Sequence, residues 1–263
     1  MKKALLLAFF ALLAVAAFGQ SLNQTPAAAA TESAYSCFAT FSTGAGPTLF
    51  KWCVSQSGNV VSLESPAGKE HIYEGSITEG YGVCDLLTKV EYYDYAQSGA
   101  VGWAFPTIAQ PNGANTLPLT ITRRTDDGMW TLAQSFAYIP AERIVRVTMR
   151  LENNAGIVKR AYLARFVDLD ANSANGGDFQ NWFDATLDTV SAWNPRNYGA
   201  ELHTVNPEIE HYTGVFLFNM FLHPCQKPVS SVPAFGDYAG YVTHELSVSP
   251  HRSKTITVEY RAH

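Results

Sequence analysis

Charged residues are scarce in this chain of 263 residues: they make up 16% of it, against 47% hydrophobic and 13% aromatic residues. This composition excludes a disordered or fibrous protein and predicts a globular one with a substantial core. Basic residues are the scarcer charged kind, with 18 Lys and Arg against 23 Asp and Glu and a formal net charge of −5. Nucleic acid and anionic membranes are therefore not expected as partners.

The sequence also lacks the motifs of several enzyme classes. No GxSxG, P-loop or GxGxxG segment lies between a strand pattern and a helix pattern, so esterase, kinase and dinucleotide-dependent chemistry have no support. No HExxH pair is present, and His203 and His211, although near Glu208 and Glu210, lack the spacing of known zinc sites. We therefore predict no catalytic residue.

Long hydrophobic runs are confined to the start of the chain. Lys2 and Lys3 precede an apolar stretch from Ala4 to Ala17, and Ala17-Phe18-Gly19 supplies small residues at the positions that a signal peptidase reads, so we expect cleavage near Gly19 or Gln20. We predict a signal peptide over residues 1–19 and a secreted protein, extracellular or periplasmic, without a transmembrane segment after cleavage. An uncleaved N-terminal anchor is the alternative.

Cysteine is rare, and the CxxC spacing of zinc and redox sites is absent. The four cysteines, Cys37, Cys53, Cys84 and Cys225, all follow the predicted signal peptide. An even number in an oxidising compartment predicts two disulfides, for which three pairings are open. We favour Cys37 with Cys53, because they flank a hairpin-like segment over 44–47, which leaves Cys84 with Cys225. A free reactive cysteine is the alternative.

The remaining chain divides into a leader and a β-rich part. Residues 20–34 lack periodicity and bulky apolar side chains, which predicts a flexible leader. From residue 35 onward, runs of β-branched and aromatic residues are interrupted about every ten residues by Gly, Asn, Asp or Pro. We predict one all-β domain over 35–263. Its expected fold is an antiparallel β-sandwich of two stacked sheets, or a larger supersandwich, with at most one or two short helices.

Individual segments predict particular strands and hairpins. Apolar and polar residues alternate over 144–153 and again over 255–261, which indicates strands with one face in the core and the other in water. Asp126-Asp127-Gly128 predicts a hairpin between the runs on either side of it, and the polar turn over 153–156 predicts a second hairpin.

One segment, 178–193, favours a helix. Phe183, Leu187 and Val190 recur at helical spacing, and Asp178 is a suitable N-cap residue. We expect the rest of the domain to consist of strands and turns.

Oxygen-bearing side chains follow a buried-looking strand at Asp168, Asp170, Asn172 and Asp178. Calcium takes six to eight such ligands, and the first three residues match the alternating positions of calcium-binding loops. The match then ends, because the loop lacks the expected glutamate and its glycine is displaced. We predict a calcium site here. A metal-free polar turn and a catalytic pair of carboxylates are the alternatives.

Two tryptophans, Trp182 and Trp193, bracket the acidic residues Asp184 and Asp188. An exposed indole beside hydrogen-bonding acids is a common way to hold a sugar ring, so these four residues are the predicted ligand-binding set. On a helix, Asp184 and Asp188 would share one face as a pair of acids. The alternatives are a solvated helix surface for the acids and a core position for the tryptophans.

The combination of a secreted all-β chain, the segment Arg165-x-x-Asp168-x-Asp170 and a Trp-bearing acidic loop resembles bacterial sandwich proteins that bind or process glycans. We predict a non-catalytic protein that binds a glycan or another extracellular surface ligand. The first alternative is a glycan-active hydrolase, lyase or epimerase that uses acidic residues. The second is a cell-envelope or matrix subunit whose leader adds a strand to a neighbour, and the sequence leaves a homo-oligomer open.

Overall fold

The computed structural model describes residues 36–72, 79–96, 99–171, 181–217, 223–226, 234–236 and 238–263. These residues all belong to the compact unit Glu32–His263. The predicted signal peptide and leader lie outside the described residues.

The described ranges contain 18 β-strands, two short 3-10 helices and no α-helix. The strands are β1 Ala39–Thr43, β2 Phe50–Val54, β3 Val60–Glu64, β4 Glu79–Asp85, β5 Glu91–Tyr95, β6 Gly99–Val101, β7 Thr107–Ala109, β8 Leu119–Arg124, β9 Trp130–Ile139, β10 Ile144–Asn153, β11 Lys159–Val167, β12 Asn181–Ala185, β13 Thr189–Trp193, β14 Gly199–Thr204, β15 His211–Leu217, β16 Ala234–Gly236, β17 Tyr238–Val248 and β18 Ser253–Ala262. The 3-10 helices are Gly46–Thr48 and Pro140–Glu142.

Two large antiparallel sheets and one small one are formed by these strands. The nine-stranded sheet has the order β16-β12-β13-β14-β18-β10-β9-β8-β7, the six-stranded sheet has the order β15-β17-β11-β4-β5-β6, and β1, β2 and β3 form the third. Side chains from all three sheets share one apolar core. The two large sheets approach so closely that a Cβ on Gly240 of β17 would lie 2.2 Å from the side chain of Val190 on β13. The predicted all-β sandwich is confirmed.

The alternation of apolar and polar residues explains which face of the nine-stranded sheet is buried. In β10, Val147 and Met149 are fully buried, and they lie opposite Val258 and Ile256 of β18. Arg146 and Thr148, which alternate with them, point to the other side of the sheet. A sheet built from such strands puts one face in the core and leaves the other available to solvent.

The two predicted hairpins have different outcomes. Asp127 and Gly128 lie in the turn that joins β8 to β9, and these strands pair as predicted. The hairpin at 153–156 is wrong, because β10 and β11 lie in different sheets. The side chain of Asn153 donates hydrogen bonds to the carbonyls of Ile157, at 2.8 Å, and Val248, at 2.9 Å, and so holds the chain in a corner between the sheets.

The helix predicted over 178–193 is also wrong. Residues 181–193 form β12 and β13, joined by a short turn, and 178–180 lie outside the described residues. Phe183 and Val190 are buried as strand residues, whereas Leu187 lies in the turn and is 73% exposed. The helical spacing of these three residues was therefore coincidental, and the β-branched residues around Val190 favour a strand.

Both favoured disulfides are confirmed. Cys37 is bonded to Cys53 on β2, with Cα atoms 5.5 Å apart. Cys84 on β4 is bonded to Cys225, with Cα atoms 4.9 Å apart and a sequence separation of 141. The second bond closes a long loop, for which chain-entropy arguments give about 4 to 5 kcal/mol of stabilisation. Among the described residues there is no free cysteine.

A polar network centred on Arg165 lies inside the sandwich. The Arg165 side chain is completely buried. Its Nε contacts the carboxylate of Glu79 and lies 2.8 Å from the hydroxyl of Tyr260, while Nη2 donates to the carbonyl of Gly58 at 3.0 Å. Nη1 donates to Gln134. The network joins both large sheets to the turn before β3, and every guanidinium nitrogen has an acceptor, as a buried cation requires.

We predict that Arg165→Met lowers the free energy of unfolding by about 3 to 5 kcal/mol, because the carboxylate of Glu79 would stay buried without its cation. Urea denaturation measures the change. The double variant Arg165→Met/Glu79→Leu should recover much of the loss. The control Arg160→Met removes an arginine from the same strand that is 65% exposed and paired with Glu245, and it should have a much smaller effect. Equal losses at both arginines would contradict the structural role of the network.

Candidate functional site

The two large sheets differ in how their outward faces are covered. On the six-stranded sheet, Tyr95, Phe166 and Tyr241 belong to a second apolar cluster and are at most 7% exposed. The face of the nine-stranded sheet that points away from the six-stranded sheet, here called the outer face, carries Trp182, which is 56% exposed, and Arg146, whose side chain is 41% exposed. The outer face therefore presents exposed side chains that a ligand could contact.

The pairing of β12 with β13 brings the two predicted tryptophans together. Trp182 lies directly opposite Trp193 in the antiparallel register, and Trp182 is also opposite Phe235 of β16. Phe183, the next residue of β12, is fully buried in the core. Because neighbours in register share a face, Trp182, Trp193 and Phe235 all lie on the outer face. The alternative interpretation, in which the tryptophans are core residues, is therefore wrong for Trp182.

Four aromatic side chains on this face form two pairs. In the first aromatic pair, Trp182 contacts Phe235 with ring centroids 4.7 Å apart. In the second aromatic pair, Trp193 stacks on His263 with centroids 4.8 Å apart and planes 28° from parallel. No ring contact between Trp182 and Trp193 is found in the described part of the chain. The two indoles therefore lean away from each other, each toward its own partner.

Gly199 makes room for the second aromatic pair. It is the residue of β14 opposite Trp193, and a Cβ at this position would lie 2.5 and 2.6 Å from two atoms of the indole. Real side chains do not approach so closely, so only glycine lets Trp193 lie over β14. The backbone N–H of His263 donates to the carbonyl of Gly199 at 2.8 Å, which places the imidazole beside the indole.

A row of polar residues runs parallel to the aromatic side chains, two positions along each strand. Its members in register are Asp184, Ser191, Glu201 and Arg261. Asp184 is exposed and makes no hydrogen bond or ion pair with any other described residue. Glu201 lies 3.4 Å from Arg261 Nη1 and 3.4 Å from His263 Nε2. The row thus offers carboxylate oxygens and a hydroxyl beside the aromatic rings.

Electrostatic partners lower the pKa of two carboxyls on this face. Burial tends to raise the pKa of Glu201, but His263 and Arg261 hold it below its usual value. Burial likewise tends to raise the pKa of Glu259, but Arg261 and Arg146 hold it below its usual value. These shifts favour the ionised form of both glutamates, which accepts hydrogen bonds.

The turn between β12 and β13 is fixed by contacts with β15. The carboxylate of Asp188 lies 2.8 Å from Nε2 of His211, whose other ring nitrogen lies 2.6 Å from the carbonyl of Ile209. The hydroxyl of Thr213 donates to the carbonyl of Thr186. Asp188 therefore anchors the hairpin and does not share a helix face with Asp184, which lies on β12. The predicted pairing of these two acids on a helix is wrong.

Two of the four predicted calcium ligands lie among the described residues. Asp168 and Asp170 are 1% and 2% exposed, whereas Asn172 and Asp178 lie outside the described residues. Within the described residues, no group of three or more His, Cys, Asp or Glu side chains is arranged to hold a metal ion. Calcium at this segment stays a prediction.

Four residues of the site were missed by sequence reasoning: Phe235, His263, Gly199 and Glu201. One signal was available for His263, since it continues the alternation of β18 in phase with Arg261 and Glu259. The other three have no local signal, because their place beside the tryptophans depends on which strands become neighbours.

Comparison with known proteins shows a shared fold. No protein-family model matches the chain, and no curated protein sequence matches it either. Among solved structures, a bacterial glucoamylase complexed with acarbose matches with a TM-score of 0.59 and 11% identity, covering 86% of this chain. The match covers 32% of the glucoamylase, so this chain spans about a third of that protein. At this identity the likeness concerns the fold alone.

Two further structures are similar at lower TM-scores. A galactose mutarotase-like protein from Lactobacillus casei has a TM-score of 0.46 and 9% identity, with 85% of this chain and 100% of that one covered. The heparan sulfate lyase of Pedobacter heparinus has a TM-score of 0.45 and 11% identity, with 85% and 34% covered.

We predict that Gly199→Ala displaces the Trp193 indole and lowers the free energy of unfolding by about 1 to 3 kcal/mol, as overpacking does. Thermal melting and tryptophan emission measure the two effects. The matched control is Gly156→Ala, because a Cβ on Gly156 would meet no atom within 4 Å. If Gly199→Ala leaves both stability and emission at the values of the control, Trp193 does not lie over β14.

Proposed function

We propose that the protein is an exported, non-catalytic glycan-binding protein and that the outer face of the nine-stranded sheet holds the glycan. The observation that carries this proposal is the side-by-side position of Trp182 and Trp193 on a face open to solvent, next to Asp184 and Glu201. Exposed aromatic side chains beside hydrogen-bonding groups form a surface that is apolar and polar at once, as a sugar is.

The chemistry of the face suits a sugar ring. The C–H groups of a pyranose give it apolar faces that pack on an indole, and its hydroxyls donate hydrogen bonds to carboxylates. Asp184 has no partner among the described residues, so its oxygens are available as acceptors. In contrast, Arg261 is engaged by Glu259, at 2.8 Å, and by Glu201. An unpaired carboxylate and an engaged arginine favour neutral sugars over anionic ones.

The enzyme alternative finds less support in the arrangement of acids. Of the four candidate carboxylates, Asp168 and Asp170 are buried, Asp188 is engaged with His211, and only Asp184 lies exposed on the outer face. A substrate on the outer face would therefore meet one of these four, together with Glu201, which is paired with Arg261 and His263, whereas glycosidases use two carboxylates on opposite sides of the bond they break. This distribution supports the non-catalytic proposal.

The similarity to a glucoamylase complexed with acarbose is consistent with a glycan ligand. Because that similarity is one of fold and covers about a third of the glucoamylase, the proposal does not depend on it. The proposal depends on the side chains of the outer face.

Export is proposed from two features. The N-terminal sequence has the pattern of a signal peptide, and both disulfides suit an oxidising compartment. In the portion of the chain that the structure describes, no helix has the length and apolarity needed to cross a membrane.

We also propose a calcium ion at the segment from Asp168 to Asp178, whose oxygen ligands prompted the prediction. An ion that binds only the native protein raises its stability, by about 2.7 kcal/mol at a hundred times the dissociation constant. The melting temperature should fall on addition of chelator and recover with Ca²⁺, and Asp170→Ala should abolish this response. Asp126→Ala, in an exposed turn, should retain it. A melting curve insensitive to both reagents would remove calcium from the proposal.

The glycan-binding proposal predicts that Trp182→Ala weakens oligosaccharide binding by about tenfold or more, because loss of a stacked ring removes at least about 1.4 kcal/mol. Titration calorimetry with neutral oligosaccharides measures the affinity. The matched control is Phe105→Ala, which removes another aromatic side chain that is 78% exposed but lies outside both aromatic pairs; it should leave affinity unchanged. Equal affinities for the two variants, or no binding to any glycan by the native protein, would overturn the proposal.

A further inference from the structure

We infer that the ligand of the outer face is an extended oligosaccharide that crosses the strands and contacts both aromatic pairs at once. This inference rests on the proposed glycan-binding function and adds the length and direction of the ligand. It comes from the arrangement of the two aromatic pairs and of the polar row beside them.

The aromatic side chains span the width of several strands. Phe235 is on β16, Trp182 on β12, Trp193 on β13, and His263 directly follows β18, on the far side of Gly199 in β14. Four strand spacings separate β16 from β18. At about 4.8 Å per spacing, the pairs together cover about 19 Å, which is the length of roughly four linked sugar units.

The two pairs are separate stacking positions. Trp182 leans toward Phe235 and Trp193 leans toward His263, with no ring contact between the two indoles among the described residues. A single sugar ring can therefore stack on one pair only. A longer chain can stack on both, and the second contact then forms within one complex at a high effective concentration.

The direction of the ligand follows from the polar row. Asp184, Ser191, Glu201 and Arg261 lie in consecutive registers across β12, β13, β14 and β18. Hydrogen-bonding groups thus accompany the aromatic side chains along the same line, perpendicular to the strands. An oligosaccharide laid along this line would meet a polar group at each strand, whereas one laid parallel to a strand would leave the row after a single contact.

The contacts that fix this geometry are independent of any ligand. Asp188 and Thr186 anchor the β12–β13 turn to β15 through His211 and Thr213. Gly199 leaves room for Trp193 to lie over β14. Both tryptophans therefore lie on a hairpin that is anchored before a ligand binds, which reduces the entropy lost when a long ligand binds.

The test is the dependence of affinity on ligand length. The probes are neutral oligomers of one to six units in four series: β-1,4-linked glucose, α-1,4-linked glucose, β-1,4-linked xylose and β-1,4-linked N-acetylglucosamine. For the series that binds, affinity should rise by at least about tenfold from one unit to four and then level off, as expected for two linked contacts. Titration calorimetry measures each affinity.

Variants at the two ends make the test specific. Phe235→Ala and His263→Ala each remove one ring, at opposite ends of the site. Each variant should weaken binding of the four-unit ligand. At most one of the two should weaken binding of the monosaccharide. Phe105→Ala is the control, and melting curves verify that each variant is folded. Phe235, 44% exposed, can be truncated without a cavity in the core, so its variant remains usable if the other does not fold.

The outcomes separate this inference from the proposed function. If no series binds, the glycan-binding proposal itself fails. If sugars bind with the same affinity from one unit to six, or if Phe235→Ala leaves four-unit binding unchanged, the proposed function stands and the extended ligand is refuted.

Discussion

The cross-strand register of β12 and β13 is the constraint on which the candidate site depends. Trp182 lies opposite Trp193, and Phe183 lies opposite Ala192, fully buried in the core. A shift of one residue in β12 would turn Phe183 outward and bury Trp182 with the charged Asp184. The free-energy cost of burying an unpaired carboxylate keeps the register fixed. The same burial that builds the core thus places both tryptophans on the outer face.

The interior of the sandwich supports this face from behind. The fully buried Arg165 connects the sheets through Glu79, Tyr260 and Gln134, and Tyr260 belongs to β18, the strand that also carries Arg261. Gly240 lets β17 approach Val190 of β13. These contacts hold β13 and β18 at defined positions relative to the other sheet. A rigid support is what a preorganised binding surface needs, because ligand binding then orders little of the protein.

Local sequence signals predicted much of the fold and only part of the site. The alternation over 144–153 and the spacing of the cysteines gave correct strands and disulfides, because both act through near neighbours or through compartment. The prediction of a helix over 178–193 failed because Phe183 and Val190 are buried on two separate strands, which pairing with β16 and β14 stabilises. Phe235 and Gly199 could not be predicted, since their role arises from a sheet order that no single strand encodes.

The most direct measurement of the central claim is a nuclear magnetic resonance titration of the tryptophan indole N–H signals with the best-binding oligosaccharide. The chain has five tryptophans, and Trp52, Trp103 and Trp130 are at most 6% exposed. Binding at the outer face predicts that the signals of Trp182 and Trp193 shift at saturation while those of the three buried indoles stay in place. Saturation without a shift of either Trp182 or Trp193 would contradict it.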